Sequence, residues 1–179
     1  MTVDFSFEDV HVLSCSIFKP KNQAKFNIYA LSKPHSASAP PPNNAELAKV
    51  GLGALSDEDF AFSLKNKLMG QVNLVRCSVG HVSQGGSLTL TSGVLSQQPM
   101  EGSAAVSVVN AGVEAFTRSA ALELRGKARV NTVSPGWIAE TLASMGRDPA
   151  NGVPAAVVAQ AYKRSLGGDM TGDVIPAVQ

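Results

Sequence analysis

The first 50 residues contain no glycine, although the chain of 179 residues has sixteen. A dinucleotide-binding α/β chain usually carries its glycine turn near the start, because that turn needs positive φ and close backbone approach to the phosphates. The front of this chain supplies none. Cysteine is scarce as well: Cys15 and Cys77 are the only two, too few and too far apart for a disulfide framework or a zinc site. His11, His35 and His81 have no ligand spacing, so no metal is expected. No run approaches eighteen apolar residues, and no basic segment followed by an apolar one begins the sequence, so neither a membrane span nor a secretory signal is read. An excess of one charge is also lacking: fifteen basic and fourteen acidic side chains leave a formal +1. With no basic face, nucleic acid is not an expected partner.

What is present suits one soluble, cytoplasmic α/β domain with a real core: 44% hydrophobic, 16% charged and only 6% aromatic residues. Five of the ten prolines and five of the ten aromatics fall in residues 1–50. A boundary is therefore expected near residues 45–52, separating an atypical leader (1–50) from an ordinary globular remainder (51–179). In the leader, Val3, Phe5 and Phe7 alternate with polar residues at strand spacing, and His11 to Phe18 offers a second strand. Lys19-Pro20-Lys21-Asn22 reads as a turn, and Ser36 to Asn44, with Pro40-Pro41-Pro42, as a linker of polyproline character.

In the remainder, Ser56 followed by Asp57, Glu58 and Asp59 starts a helix: a hydroxyl cap, then carboxylates at the positive dipole end. Phe60, Leu64, Leu68, Val72 and Val75 predict one buried face through Cys77. Ser87 to Thr91 reads as a strand. A second helix carries Val106, Val109, Val113, Phe116, Ala120 and Leu124 on one stripe and stops at Arg125-Gly126. Arg129 to Val133 is a strand, Pro154 to Arg164 a helix and Thr171 to Ile175 a closing strand. Helices and strands in alternation imply right-handed crossovers and a parallel sheet.

Gly86-Ser-Leu-Thr-Leu-Thr-Ser-Gly93, Gly102-Ser-Ala-Ala-Val-Ser-Val-Val-Asn-Ala-Gly112 and Arg129-Val-Asn-Thr-Val-Ser-Pro-Gly136 together resemble one family. So do Leu64 to Arg76 with Gly70-Gln71, and Met170 to Ile175. They are similar to the C-terminal half of the short-chain dehydrogenase/reductases, in order and over about Leu55 to Ile175. The resemblance implies a partial Rossmann-like parallel sheet with flanking helices, its first strands and cofactor loop missing or replaced. It also implies an NAD- or NADP-dependent oxidoreductase acting on a small molecule. Homo-oligomerisation through the helices at 57–77 and 103–124 is a further implication.

The departures fall on the chemistry. The family's Tyr-x-x-x-Lys precedes Ala-Gly, and here Ala111-Gly112 puts Val106 at the tyrosine position and Asn110 at the lysine position. Valine has no exchangeable proton, and loss of positioned acid–base catalysis removes on the order of 10²–10⁴ in rate. By family correspondence Ser92 sits at the carbonyl-polarising serine and Lys67 at the helix asparagine. Lys67, Ser92 and Asn110 are thus the candidate catalytic residues of a reassembled site, since a lysine in an apolar cleft shifts its pKa downward. Pro135, Gly136, Trp137 and Ile138 correspond to the segment that touches the nicotinamide amide.

Tyr29-Ala-Leu-Ser-Lys33 spells the missing motif, but it precedes the serine strand and Pro34 disfavours a helix there. Asn43-Asn44-Ala45 matches part of the family's Asn-Asn-Ala-Gly, with Glu46 in place of glycine. Without the Thr-Gly-x-x-x-Gly-x-Gly fingerprint, weak or no dinucleotide binding is expected from this chain alone. The alternative to a shortened oxidoreductase is a non-catalytic, dimerising α/β scaffold. A third reading takes residues 1–50 as the product of a shifted reading frame.

Overall fold

The computed structural model describes residues 51–178 and, within the first 50, the strands at 6–7, 10–18 and 25–30. Those three, β1 (Ser6–Phe7), β2 (Val10–Phe18) and β3 (Lys25–Ala30), form an antiparallel sheet in the order β1-β2-β3. Tyr29 lies in β3, in extended backbone, not in the helix its apparent motif would need. Lys33, the turn at 19–22, the proline linker and Asn43-Asn44 lie outside the described residues.

The second sheet is parallel, ordered β4 (Gly86–Thr91), β5 (Ala128–Pro135), β6 (Val174–Ala177), and β3 lies alongside β4. Side chains of β4 alternate strictly. Leu88 and Leu90 join Leu74, Val75, Val113, Ala120 and Val130 in one core, whereas Thr89 Oγ1 meets Ser165 Oγ at 2.7 Å on the other face. That second face is covered by the helix Ala155–Gly167, whose Val158 and Ala161 share a core with Val133 and Ile175 of the strands. Helices on both faces of a parallel sheet make a partial Rossmann-like α/β architecture.

The first helical region is not the single helix its periodicity predicts. It runs as α1 (Asp57–Ser63), a π turn (Leu64–Leu68) and α2 (Met69–Ser78). The start is as expected: Ser56 Oγ accepts from the Asp59 N–H, and the Asp59 carboxylate accepts from the Ser56 N–H at 2.9 Å. The wider π turn then changes which residues face inward. The fully buried positions are Ser63, Gln71, Leu74, Val75 and Ser78, while Phe60, Leu64, Leu68 and Val72 are half-buried and Cys77 is exposed.

The next helix, α3 (Ala104–Glu123), buries the expected stripe, with Phe116 half-buried. Gly126, at φ 80°, makes the left-handed exit that only glycine adopts cheaply. The final strand begins later than its pattern suggests. Gly172 turns at φ 82° and donates to Val130 O, and the Asp173 N–H bonds to Asn131 Oδ1, so pairing in the ladder starts at Val174. The short α4 (Ala139–Ser144) was not signalled by periodicity; the helix at Ala155–Gly167 is α5. Among the described residues no helix is long and apolar enough to cross a membrane.

Candidate active site

The carboxyl edge of a parallel sheet is where ligands bind in open α/β folds, and here the polar groups gather at the end of β4. The Ser92 N–H is tied to Val133 O at 2.9 Å, which fixes the chain leaving β4 against β5. On the outer side of β4 the Gln71 amide does what a neighbouring strand would do. Its Oε1 accepts from the Thr91 N–H at 2.7 Å and its Nε2 donates to Thr91 O at 2.6 Å.

Lys67 comes from the π turn. Its Nζ donates to the Ser92 carbonyl at 2.9 Å and to Asn110 Oδ1 at 2.5 Å. The structure therefore brings Lys67, Ser92 and Asn110 together. Gly93 makes the close approach possible: a Cβ there would lie 3.0 Å from Asn110 Nδ2. Gly112 lets α3 pack on the π turn, since a Cβ would meet Leu68 Cδ2 at 2.9 Å. Burial pushes the Lys67 ammonium down to about 8, and the nearby Glu114 carboxylate opposes that shift.

Glu114 was not foreseen. It lies one turn beyond Asn110 on α3, buried, and accepts from Ser92 Oγ at 2.8 Å, Ser96 Oγ at 2.5 Å and Gln97 Nε2 at 3.5 Å. The Ser92 hydroxyl proton is thus directed at a carboxylate. Val106, one turn before Asn110, is a buried apolar side chain. A carboxylate at i+4 from a polar helix residue was the available signal; the apolar stripe through Val109 and Val113 masked it.

Pro135–Ile138 leaves the end of β5 on the same sheet edge. The loop is pinned by Gly136 N to Ala177 O at 3.0 Å and Val153 N to Trp137 O at 2.7 Å. Trp137 is half-buried, with the Arg147 guanidinium 5.8 Å from its ring centroid. No hydrogen bond joins this loop to the Lys67 group among the described residues.

Residues 37–174 match the family model described as Enoyl-(Acyl carrier protein) reductase. The chain belongs to the short-chain dehydrogenase/reductase family. Among solved structures, the protein lin1944 from Listeria innocua is 30% identical, with a TM-score of 0.66, over 75% of this chain and 78% of that one. A small-chain dehydrogenase in complex with NADPH is 29% identical, with a TM-score of 0.62, over 70% of this chain and 64% of that one. The 3-hydroxyacyl-CoA dehydrogenase type-2 from Mycobacterium avium, at 23% identity and a TM-score of 0.58, shares the fold over 70% of this chain and 56% of its own. This short-chain dehydrogenase/reductase chain thus spans less than two thirds of the last two. No curated protein matches it in sequence at a significant level.

Proposed function

We propose that the chain is an NAD(P)-dependent oxidoreductase of small carbonyl or alcohol substrates in which Lys67, rather than a tyrosine, exchanges the proton with the substrate oxygen. The observation that carries this reading is the Lys67 ammonium held by the Ser92 carbonyl and Asn110 Oδ1 at the carboxyl edge of the sheet. With a pKa near 8 it is mostly charged at neutral pH, yet releases its proton far more readily than an ordinary lysine. After release, the neutral amine still has two N–H groups for the same two acceptors. Glu114 favours the charged form and fixes the Ser92 hydroxyl.

By family resemblance the chain keeps the segment for one end of the cofactor. Pro135–Ile138 would hold the nicotinamide end, and the group would supply the hydride when bound. For the pyrophosphate, the sequence holds no Thr-Gly-x-x-x-Gly-x-Gly turn, so affinity from this chain's own residues is expected to be weak. Fluorescence titration with NADPH and NADH, then turnover of aldehydes and ketones by the protein and by Lys67→Met, tests the proposal. A loss of about 10²–10⁴ in turnover is expected for the variant; unchanged turnover overturns the role of Lys67.

One observation favours a second reading, a dimerising scaffold without turnover: the Ser92 hydroxyl already donates to Glu114 instead of pointing a free proton into the cleft. Self-association belongs to both readings. The outer face of α3 exposes Val108 (48%) and Leu122 (64%) with Ala111 and Ala115 between them, the i, i+3, i+4 spacing of a helix face that packs on another.

A further inference from the structure

We propose that Lys67 is also a site of reversible imine formation with small aliphatic aldehydes, its Nζ held by two acceptors that leave the lone pair of the neutral amine unengaged. The inference rests on the geometry of this side chain and not on cofactor use or hydride transfer.

A neutral primary amine has two N–H donors and one lone pair. Here the two acceptors, Ser92 O at 2.9 Å and Asn110 Oδ1 at 2.5 Å, account for the two donors. The lone pair of the neutral form is then left in the remaining tetrahedral direction. As a residue Lys67 keeps part of its surface exposed. The backbone fixes the amine further: the π turn carries Lys67, and Leu68 beside it packs against Gly112.

In the reaction, the Nζ lone pair forms a bond to the aldehyde carbon. The carbonyl oxygen leaves as water with the two amine protons, and a C=N bond replaces C=O. Protonation gives an iminium with one N–H, which either existing acceptor can take. Glu114, the carboxylate whose charge already acts on Lys67, lies on the stabilising side of that cation. The population of reactive amine is large: with a pKa near 8, about a quarter is neutral at pH 7.5, against roughly one part in a thousand for an ordinary lysine.

The test uses the whole protein without nucleotide, with propanal and cyanoborohydride at pH 7.5 for a limited time. The borohydride delivers hydride to the imine carbon and fixes a propyl group on nitrogen, which peptide mass spectrometry then locates. Lys67 is expected to be labelled about tenfold faster than the exposed Lys65 and Lys163, the lower intrinsic nucleophilicity of a weaker base removing part of the advantage in neutral fraction. Labelling of Lys67 no faster than of those two overturns the proposal. The comparison is made within one folded molecule, so it needs no variant to fold. Lys67→Arg, which cannot form an imine, should lose the fast-labelled peptide alone. Because no nucleotide is present, slow labelling with the Lys67 titration still near 8 leaves its proton-transfer role standing, whereas a titration at the ordinary lysine value ends both. Loss of that role through unchanged turnover in Lys67→Met would in turn leave the labelling result untouched.

Discussion

The Glu114 carboxylate acts on the Lys67 ammonium by charge while the hydrogen bonds of both go to other partners. The ammonium is held by Asn110 and the Ser92 carbonyl, and the carboxylate by the Ser92 and Ser96 hydroxyls. Ser92 is therefore the shared element, offering its carbonyl to one and its hydroxyl to the other.

Glu114→Gln keeps an acceptor for the two serines and removes the charge. The Lys67 pKa should fall below about 8. Titration of the lysine ε-methylene by NMR reads this directly. A value that stayed or rose would show that Glu114 does not act on the ammonium.

Stability should depend on pH through Lys67. Its folded pKa, about 8, lies below the unfolded value near 10.4, so between these values the unfolded chain binds more protons and stability rises with pH. The penalty for charging the half-buried amine is fully present below pH 8, with an upper bound of roughly 3 kcal/mol. Unfolding of the protein and of Lys67→Met should diverge steadily between pH 8 and 10, the protein gaining relative to the variant. Above pH 10 the raised pKa of Tyr162 works in the opposite sense. Parallel curves from 8 to 10 would contradict the shift.

Two glycine substitutions should separate structure from site. At Gly152 a Cβ would fall 2.7 Å from both Ala139 N and Cα, backbone atoms that cannot turn aside, so Gly152→Ala should cost about 1–3 kcal/mol. At Gly93 the obstacle is the Asn110 amide at 3.0 Å. Gly93→Ala should cost less than about 1 kcal/mol but disturb the Lys67 titration, which Gly152→Ala should leave in place. Thermal unfolding and the same NMR signal distinguish the two.

Leu122→Lys places a charge on the exposed face of α3 and should dissociate the proposed oligomer without loss of secondary structure. Sedimentation at micromolar concentration decides. A monomeric parent protein would end the proposal.

Much of the architecture was legible. The apolar stripe of α3, the strand cores at Leu88-Leu90 and Val130-Val133, and the hydroxyl cap at Ser56 follow from periodicity and cap chemistry acting locally. The π turn was not legible: Phe60, Leu64, Leu68 and Val72 also satisfy an unbroken α-helix, and only tertiary packing selects the wider turn at 64–68. At the site, order and spacing of motifs nominated Lys67, Ser92 and Asn110. Glu114, and the bonding role of Gln71, escaped because isolated polar residues on a helix usually face water. Their burial depends on partners 20 and 22 residues away in sequence, at Thr91 and Ser92.

The Gln71 side chain has a topological effect. By occupying both main-chain groups of Thr91, it ends the open margin of β4 before the cleft is reached. A strand added along that margin, from this chain or another, runs out of free partners at Thr91. Sheet growth would then stop at the residue before Ser92, whose carbonyl holds the Lys67 amine.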